Sequence, residues 1–432
     1  MTSVKTAVRA DLLDFTADPG LADLNSPAVR FRPDHWLLTD ERGRIAAVQP
    51  HEPGDDFLKL DRRGQLLLPG FIDTHVHCPQ IDVIASWGAQ LLDWLETYTF
   101  PAEARHAEPE YAAAGAKLFL DALLSHGTTS AVVFPTVHRS ATEALFDAST
   151  QRGMRIIAGK VLMDRHAPDN LRDDVDGSEM ECRALIKDWH GRGRIAYALT
   201  PRFAATSSDA QLAMAGRLLA EHPGVYMQTH VAENPAEVRW IAELFPSSRS
   251  YLDVYASHGL LTERSVLAHG IWLDDLDRAL LHDSGAQIAH CPSSNLFLGS
   301  GLFGWREARE AGFNVSLGSD VGGGTSLSMH RTMADGYKVQ ALAGTKLSAW
   351  ALLHAATRAA AVALRLPHEI GFLEPGCAAD FCVWDWAVGS VAERRHSVAR
   401  ELHEKVFAWI TLGDERNLVE SWVGGLRRYQ RI

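Results

Sequence analysis

LLPGFIDTHVHCPQ, residues 67–80, sets an apolar run against a polar end and finishes with two histidines one residue apart. In an extended strand successive side chains point to opposite faces, so His75 and His77 share one side while Val76 turns away. Two imidazoles then converge on one point at the end of the strand. An HxH pair on its own also fits two partly exposed histidines. The two readings separate on whether later segments end in the same way.

Several of them do. The run begins at residue 66 as LLLPGFIDTH, and seven more follow: GTTSAVVFPT (127–136), RIIAGKVLMD (155–164), RIAYALTPRF (194–203), GVYMQTHVAE (224–233), SVLAHG (265–270), AQIAHCPSSN (286–295) and NVSLGSD (314–320). Between them, stretches such as SDAQLAMAGRLLAEHPG, NPAEVRWIAELF and LDDLDRALLHDSG carry apolar residues at helical spacing, with Ser, Asp or Asn-Pro in front and Gly or Pro behind. Strand and helix alternating eight times is the signature of an α/β, (β/α)8 TIM-type barrel. An open doubly wound sheet is the alternative, and its glycine-rich phosphate loop after the first strand is missing. The VGGGTSLSM stretch after Asp320 has no phosphate-contacting Lys and reads as a turn entering a helix.

The flanks read as β. FRPDHWLLTDERGRIAAVQP lies before the first run, and ADFCVWDW and NLVESWVGGLRRY lie after the last. We expect residues 1–66 and 372–432 to form a small β-sandwich domain beside a barrel spanning 67–371. Residues 78–125 are long for a loop, and their helical periodicity suggests an inserted lid as well as a return helix.

The chain of 432 residues is long enough for this arrangement, and its 46% hydrophobic and 22% charged residues are ordinary for a soluble protein. Net charge is −12, with no Lys/Arg-rich block, which argues against nucleic acid or an anionic membrane and for a small-molecule substrate. The N-terminal stretch reads as neither signal peptide nor spanning helix, so a cytoplasmic location is expected. Five scattered cysteines, Cys377 and Cys382 among them, read as reduced packing residues.

A TIM-type barrel places its active site at the C-terminal strand ends. There the runs offer His75 and His77, His230, His269 and Asp320, five metal-compatible side chains from four strands. Nitrogen-rich ligation with one carboxylate suits zinc, with iron second. Such an ion lowers the pKa of a bound water toward neutrality. Glu233, just past the fifth strand, is then the candidate proton shuttle; it could also simply be a helix N-terminal carboxylate, and the two roles are compatible. The fourth run ends in Arg202 rather than a lysine able to bridge two metals, and Lys160 belongs to the third, so one metal is expected.

HVH, THVAE, LAHG, HCPSSN and GSD together resemble the amidohydrolase superfamily, and within it the mononuclear-zinc nucleobase deaminases. PGFIDTHVHCPQ, TPRF, ELFPSSRSYLDVY, HCPSSNLFLGSGLF and SDVGGGTSLSM narrow the resemblance to the branch acting on guanine, over roughly residues 67–345. It implies one Zn2+ per chain, Fe2+ being possible, on His75, His77, His230, His269 and Asp320, with Glu233 and Asp320 moving protons. It implies that Gln80, Arg202 and Phe203 hold the purine, with His77 and His230 bordering it, and that the enzyme is a homodimer. Cys78 stands where the family often has Tyr, and His166 where Asn is common. Arginine can donate to the C6 carbonyl of guanine but not to the C6 amino group of adenine, which makes Arg202 the specificity candidate. Competing readings are deamination of another amino-heterocycle, such as 8-oxoguanine, a pterin or a triazine, and a silent barrel acting as a binding protein. A silent relative is expected to lose metal ligands, and all five are kept.

Overall fold

The structure, a computed structural model, describes residues 4–87 and 91–432. Eight parallel strands follow one another around a barrel: Phe71–His77, Thr128–Phe134, Arg155–Ala158, Ile195–Pro201, Tyr226–Val231, Ser265–His269, Gln287–His290 and Asn314–Leu317. Each coincides with one of the eight apolar runs. Nearly every strand residue is buried, because helices cover the outside while side chains fill the inside; the runs are therefore continuously apolar rather than alternating. The first and eighth strands meet through the Thr74 hydroxyl, which donates to the Leu317 carbonyl. Beyond the strand ends, Asp320 N–H donates to the His75 carbonyl and His77 N–H to the Val321 carbonyl.

The helices begin where capping residues stand. Ser208 caps Asp209–Glu221, Asn234 caps Pro235–Leu244, and Asp274 caps Asp275–Ser284, each side chain accepting a backbone N–H of the first turn. The third run departs from expectation: it breaks after Ala158, and Val161–Leu162 pairs separately with the fourth strand. A Cβ at Gly159 would lie 1.7 Å from the Ala198 carbonyl oxygen, so the two backbones approach at a distance only glycine allows.

A second, mixed sheet runs in the order Leu426–Gln430, Leu418–Val423, Phe381–Trp384, Leu58–Pro69, Thr6–Phe15, Val29–Thr39, Ile45–Gln49, joining segments from both ends of the chain. Leu66–Pro69 pairs with Phe381–Trp384 in this sheet, so the first barrel strand proper starts at Phe71. Pro69-Gly70 is the point where the chain passes from one sheet to the other.

Between the first two barrel strands the chain makes a 3-10 turn, Cys78–Val83, then helical segments Leu91–Trp94, Leu95–Thr99 and Phe100–Arg105, before the return helix Pro109–Ser125. Residues 88–90 of the expected lid lie outside the described residues. Val83, Leu91, Trp94 and Ala102 of this insertion pack with Leu298, from beyond the seventh strand. The insertion thus lies over the C-terminal rim of the barrel.

Candidate active site

The strand-end alternation brings His75 and His77 to the same point, with Nε2 atoms 3.2 Å apart, while Val76 is fully buried on the other side. His77 Nε2 is also 3.2 Å from His230 Nε2, and Asp320 Oδ1 is 3.2 Å from Nε2 of both His75 and His77. His269 Nε2 completes the group at 3.7 Å from Asp320 Oδ2. One ligand atom from each of His75, His230, His269 and Asp320 falls within 4.8 Å of the others.

Second partners orient two of these rings. His230 donates from Nδ1 to the Arg202 carbonyl at 2.7 Å, and His269 donates from Nδ1 to Asn295 Oδ1 at 2.9 Å. Each ring therefore turns its Nε2 inward, the nitrogen that is free to ligate in the neutral tautomer. His269 Nε2 is buried with no hydrogen-bond partner, and facing imidazole nitrogens cannot all satisfy one another. Burial pushes His77 down to about 3, and burial and the neighbouring imidazoles hold His230 well below its usual range. Burial raises Asp320, but His75, His77 and His269 outweigh it and hold the carboxyl well below the ordinary range. Imidazole nitrogens gathered around one carboxylate could hold a metal ion, and this donor set fits a zinc-type cation.

The backbone is specialised at the same place. His269 and Asp320 adopt φ of 76° and 51°, left-handed values that turn each side chain off its strand and into the barrel mouth. Asp73, fully buried, accepts from the N–H groups of His75 and Ser319 and from the Ser319 hydroxyl, tying the first strand to the loop that presents Asp320. Gly318 permits this approach, since a Cβ there would lie 2.8 Å from that of His75.

Glu233 lies beside the cluster, 3% exposed, with Oε2 3.5 Å from His269 Nε2 and Oε1 accepting from the Ser300 hydroxyl at 3.1 Å. Burial, reinforced by Asp320, raises its proton affinity. One turn on, Glu237 accepts from the N–H groups of Glu233 and Asn234 and from the Tyr251 hydroxyl.

Gln80, Arg202, Phe203, His77 and His230 line one pocket with Glu233, His269 and Asp320, and Leu91, Trp94 and Leu95 of the insertion close its other side. Of the two departures noted above, Cys78 packs in the hydrophobic core with burial holding its thiol protonated, and His166 is exposed, meeting Trp240 edge-on, with Trp240 in turn edge-on to Phe203. Lys160 is occupied elsewhere, paired with Asp173 and Glu181.

Four buried polar residues of the site went unread in the sequence. Asn295 orients His269, Ser300 holds Glu233, Asp73 ties the two strands, and Glu103 bridges Gln80 and Arg202. Asn295 and Ser300 lie in the HCPSSNLFLGSGLF string and Asp73 in PGFIDTHVHCPQ, so the strings carried them without assigning a task.

The amidohydrolase family model matches residues 66–426. The chain is 40% identical over 430 residues, 98% of each chain, to guanine deaminase of Escherichia coli (strain K12). The solved structure of E. coli guanine deaminase superposes with a TM-score of 0.94 at 39% identity, covering 99% of both chains. That of guanine deaminase from C. acetobutylicum, with guanine bound in its active site, superposes with a TM-score of 0.89 at 26% identity, covering 98% of this chain and all of that one.

Proposed function

The chain belongs to the amidohydrolase family, and from that premise we propose that it hydrolyses guanine to xanthine and ammonia, using one zinc ion held by His75, His77, His230, His269 and Asp320. The observation that carries the choice of substrate is Arg202. Its side chain is 3% exposed and lines the same pocket as the metal cluster, so a purine edge facing it must supply an acceptor. Guanine supplies the C6 carbonyl; adenine would bring an amino donor against guanidinium donors. Gln80, whose oxygen accepts the Gly322 N–H, offers its remaining amide N–H toward the same edge, Phe203 offers an apolar ring face, and His77 and His230 border the base.

When bound, zinc supplies a water acidic enough to yield a nucleophile near neutral pH. Glu233 takes one proton from the attacking water and delivers it to N3, which opens C2 to attack. Asp320 relays the second proton to the departing amine, which leaves as ammonia. Water thus gives its oxygen to C2, one proton to N3 and one to the amine, and xanthine remains. The insertion over the pocket limits access of bulk water.

The same reading makes the protein a cytoplasmic homodimer. Its cysteines are all buried and unpaired, as suits a reducing compartment, and among the described residues no helix is long and apolar enough to cross a membrane. The test is ammonia release from guanine, 8-oxoguanine, adenine and guanosine by purified, metal-analysed protein. Guanine-selective release with about one zinc per chain is expected. Release from another member of the panel alone would overturn the role of Arg202, and iron in place of zinc would revise the metal.

A further inference from the structure

Glu103 lies on Phe100–Arg105 in the insertion and is wholly buried. Its Oε2 accepts from Arg202 Nη1 at 2.6 Å and its Oε1 from Gln80 Nε2 at 3.2 Å. The other end of the Gln80 amide is also held, because Oε1 accepts the Gly322 N–H at 3.1 Å. Phe100 of the same helix lies 5.4 Å from the Arg202 guanidinium carbon, across its ring face. Arg202 comes from the end of the fourth barrel strand and Gln80 from the turn after the first, so a residue belonging to neither strand joins them.

We propose that Glu103 is a positioning residue that locks Arg202 and Gln80 into one recognition pair, and that this pair makes the pocket selective for a neutral purine carrying a C6 carbonyl. The proposal deepens the functional reading above and rests on it. A buried guanidinium with no counter-charge is costly, and left alone it draws in an anion. Glu103 balances it, so the Arg202 side of the pocket adds no net charge and favours an uncharged base. Charge-assisted bonds also fix direction: with Nη1 committed to Glu103, only the remaining guanidinium N–H groups are free for a ligand. With its oxygen on Gly322 and one amide hydrogen on Glu103, Gln80 keeps a single orientation. Donors that cannot turn away penalise a base lacking the matching acceptor, whereas a freely swinging arginine would find another partner and lose discrimination.

The test is calorimetric binding of hypoxanthine and of purine to zinc-loaded wild type and Glu103→Gln, alongside guanine turnover. Hypoxanthine has the C6 carbonyl and no amine to lose; purine has neither. Wild type should prefer hypoxanthine. Glu103→Gln should keep its zinc and its fold with a lowered melting temperature, because Arg202 loses its buried counter-charge, bind hypoxanthine about 10- to 100-fold more weakly, and bind purine within about threefold of wild type. Equal weakening of both ligands, as from a general structural role, or an unchanged preference would overturn the proposal. If Glu103→Gln does not fold, Glu103→Asp keeps the charge but withdraws it by one methylene, and the same selective loss is expected on a smaller scale. Failure of wild type to release ammonia from guanine would defeat the functional reading, while the hypoxanthine and purine comparison still judges Glu103.

Discussion

At the scale of single residues, chemistry is concentrated where Glu233 and His269 approach within 3.5 Å of each other. Glu233→Gln preserves shape and the Ser300 contact but cannot accept a proton, so zinc content should hold while kcat falls by about 10²-fold or more, the usual scale for a lost general base. Steady-state kinetics with metal analysis reads both quantities, and substantial turnover would remove Glu233 from the mechanism. Asn295→Ala should act through the metal instead. It frees His269 Nδ1, and removal of such an outer partner typically weakens metal affinity about 10- to 100-fold; competition with a chelator measures it. The five proposed ligands were legible because each closes an apolar run at a strand end. Glu103 was not, since its partner Arg202 is 99 positions away and nothing local distinguishes a helical glutamate that will be buried from one facing solvent.

At the scale of elements, the turn after the fifth strand links catalysis to a helix start. Asn234 caps Pro235–Leu244 through its Oδ1 to the Ala236 N–H at 2.8 Å, and Glu237 closes the box onto the Asn234 N–H. Because Glu237 also receives the Glu233 N–H, the cap sets the backbone from which Glu233 projects. Asn234→Ala should cost about 1 kcal/mol of stability and lower kcat several-fold with zinc retained. Unfolding midpoints and kinetics together check this, and loss of stability with unchanged kcat would separate the cap from the catalytic residue. Asn-Pro before an apolar run announced this helix in the sequence. The split of the third strand was hidden, because it follows from how closely Gly159 meets the Ala198 carbonyl, a distance set by the neighbouring strand.

At the scale of the whole molecule, barrel and terminal sheet meet around His330, on the helix Met329–Leu342. Its ring lies against Trp409, Trp384 and Phe71, at 4.1, 4.9 and 5.9 Å between centroids, and neither ring nitrogen has a partner. The strand patterns at both chain ends pointed to a terminal sheet, but this joint was illegible, since its rings come from four distant segments. Burial pushes His330 down to about 3; His126 acts in the same direction and Asp414 against it. In the unfolded chain the imidazole protonates near 6.5, so below that pH the unfolded state binds a proton that the native state refuses. The stability from keeping His330 neutral is complete above about pH 6.5 and is lost as pH falls toward 3, by up to about 1.4 kcal/mol per unit. His106 and His354, each pushed down mainly by burial to about 4, add losses of the same sign. His330→Phe keeps an aromatic ring at the joint but cannot take up a proton. Its melting temperature, followed from about pH 7 down to 4, should fall less steeply than that of wild type, the difference amounting to about one proton. Parallel profiles for the two proteins would mean that His330 gains its proton without opening the joint between barrel and sheet.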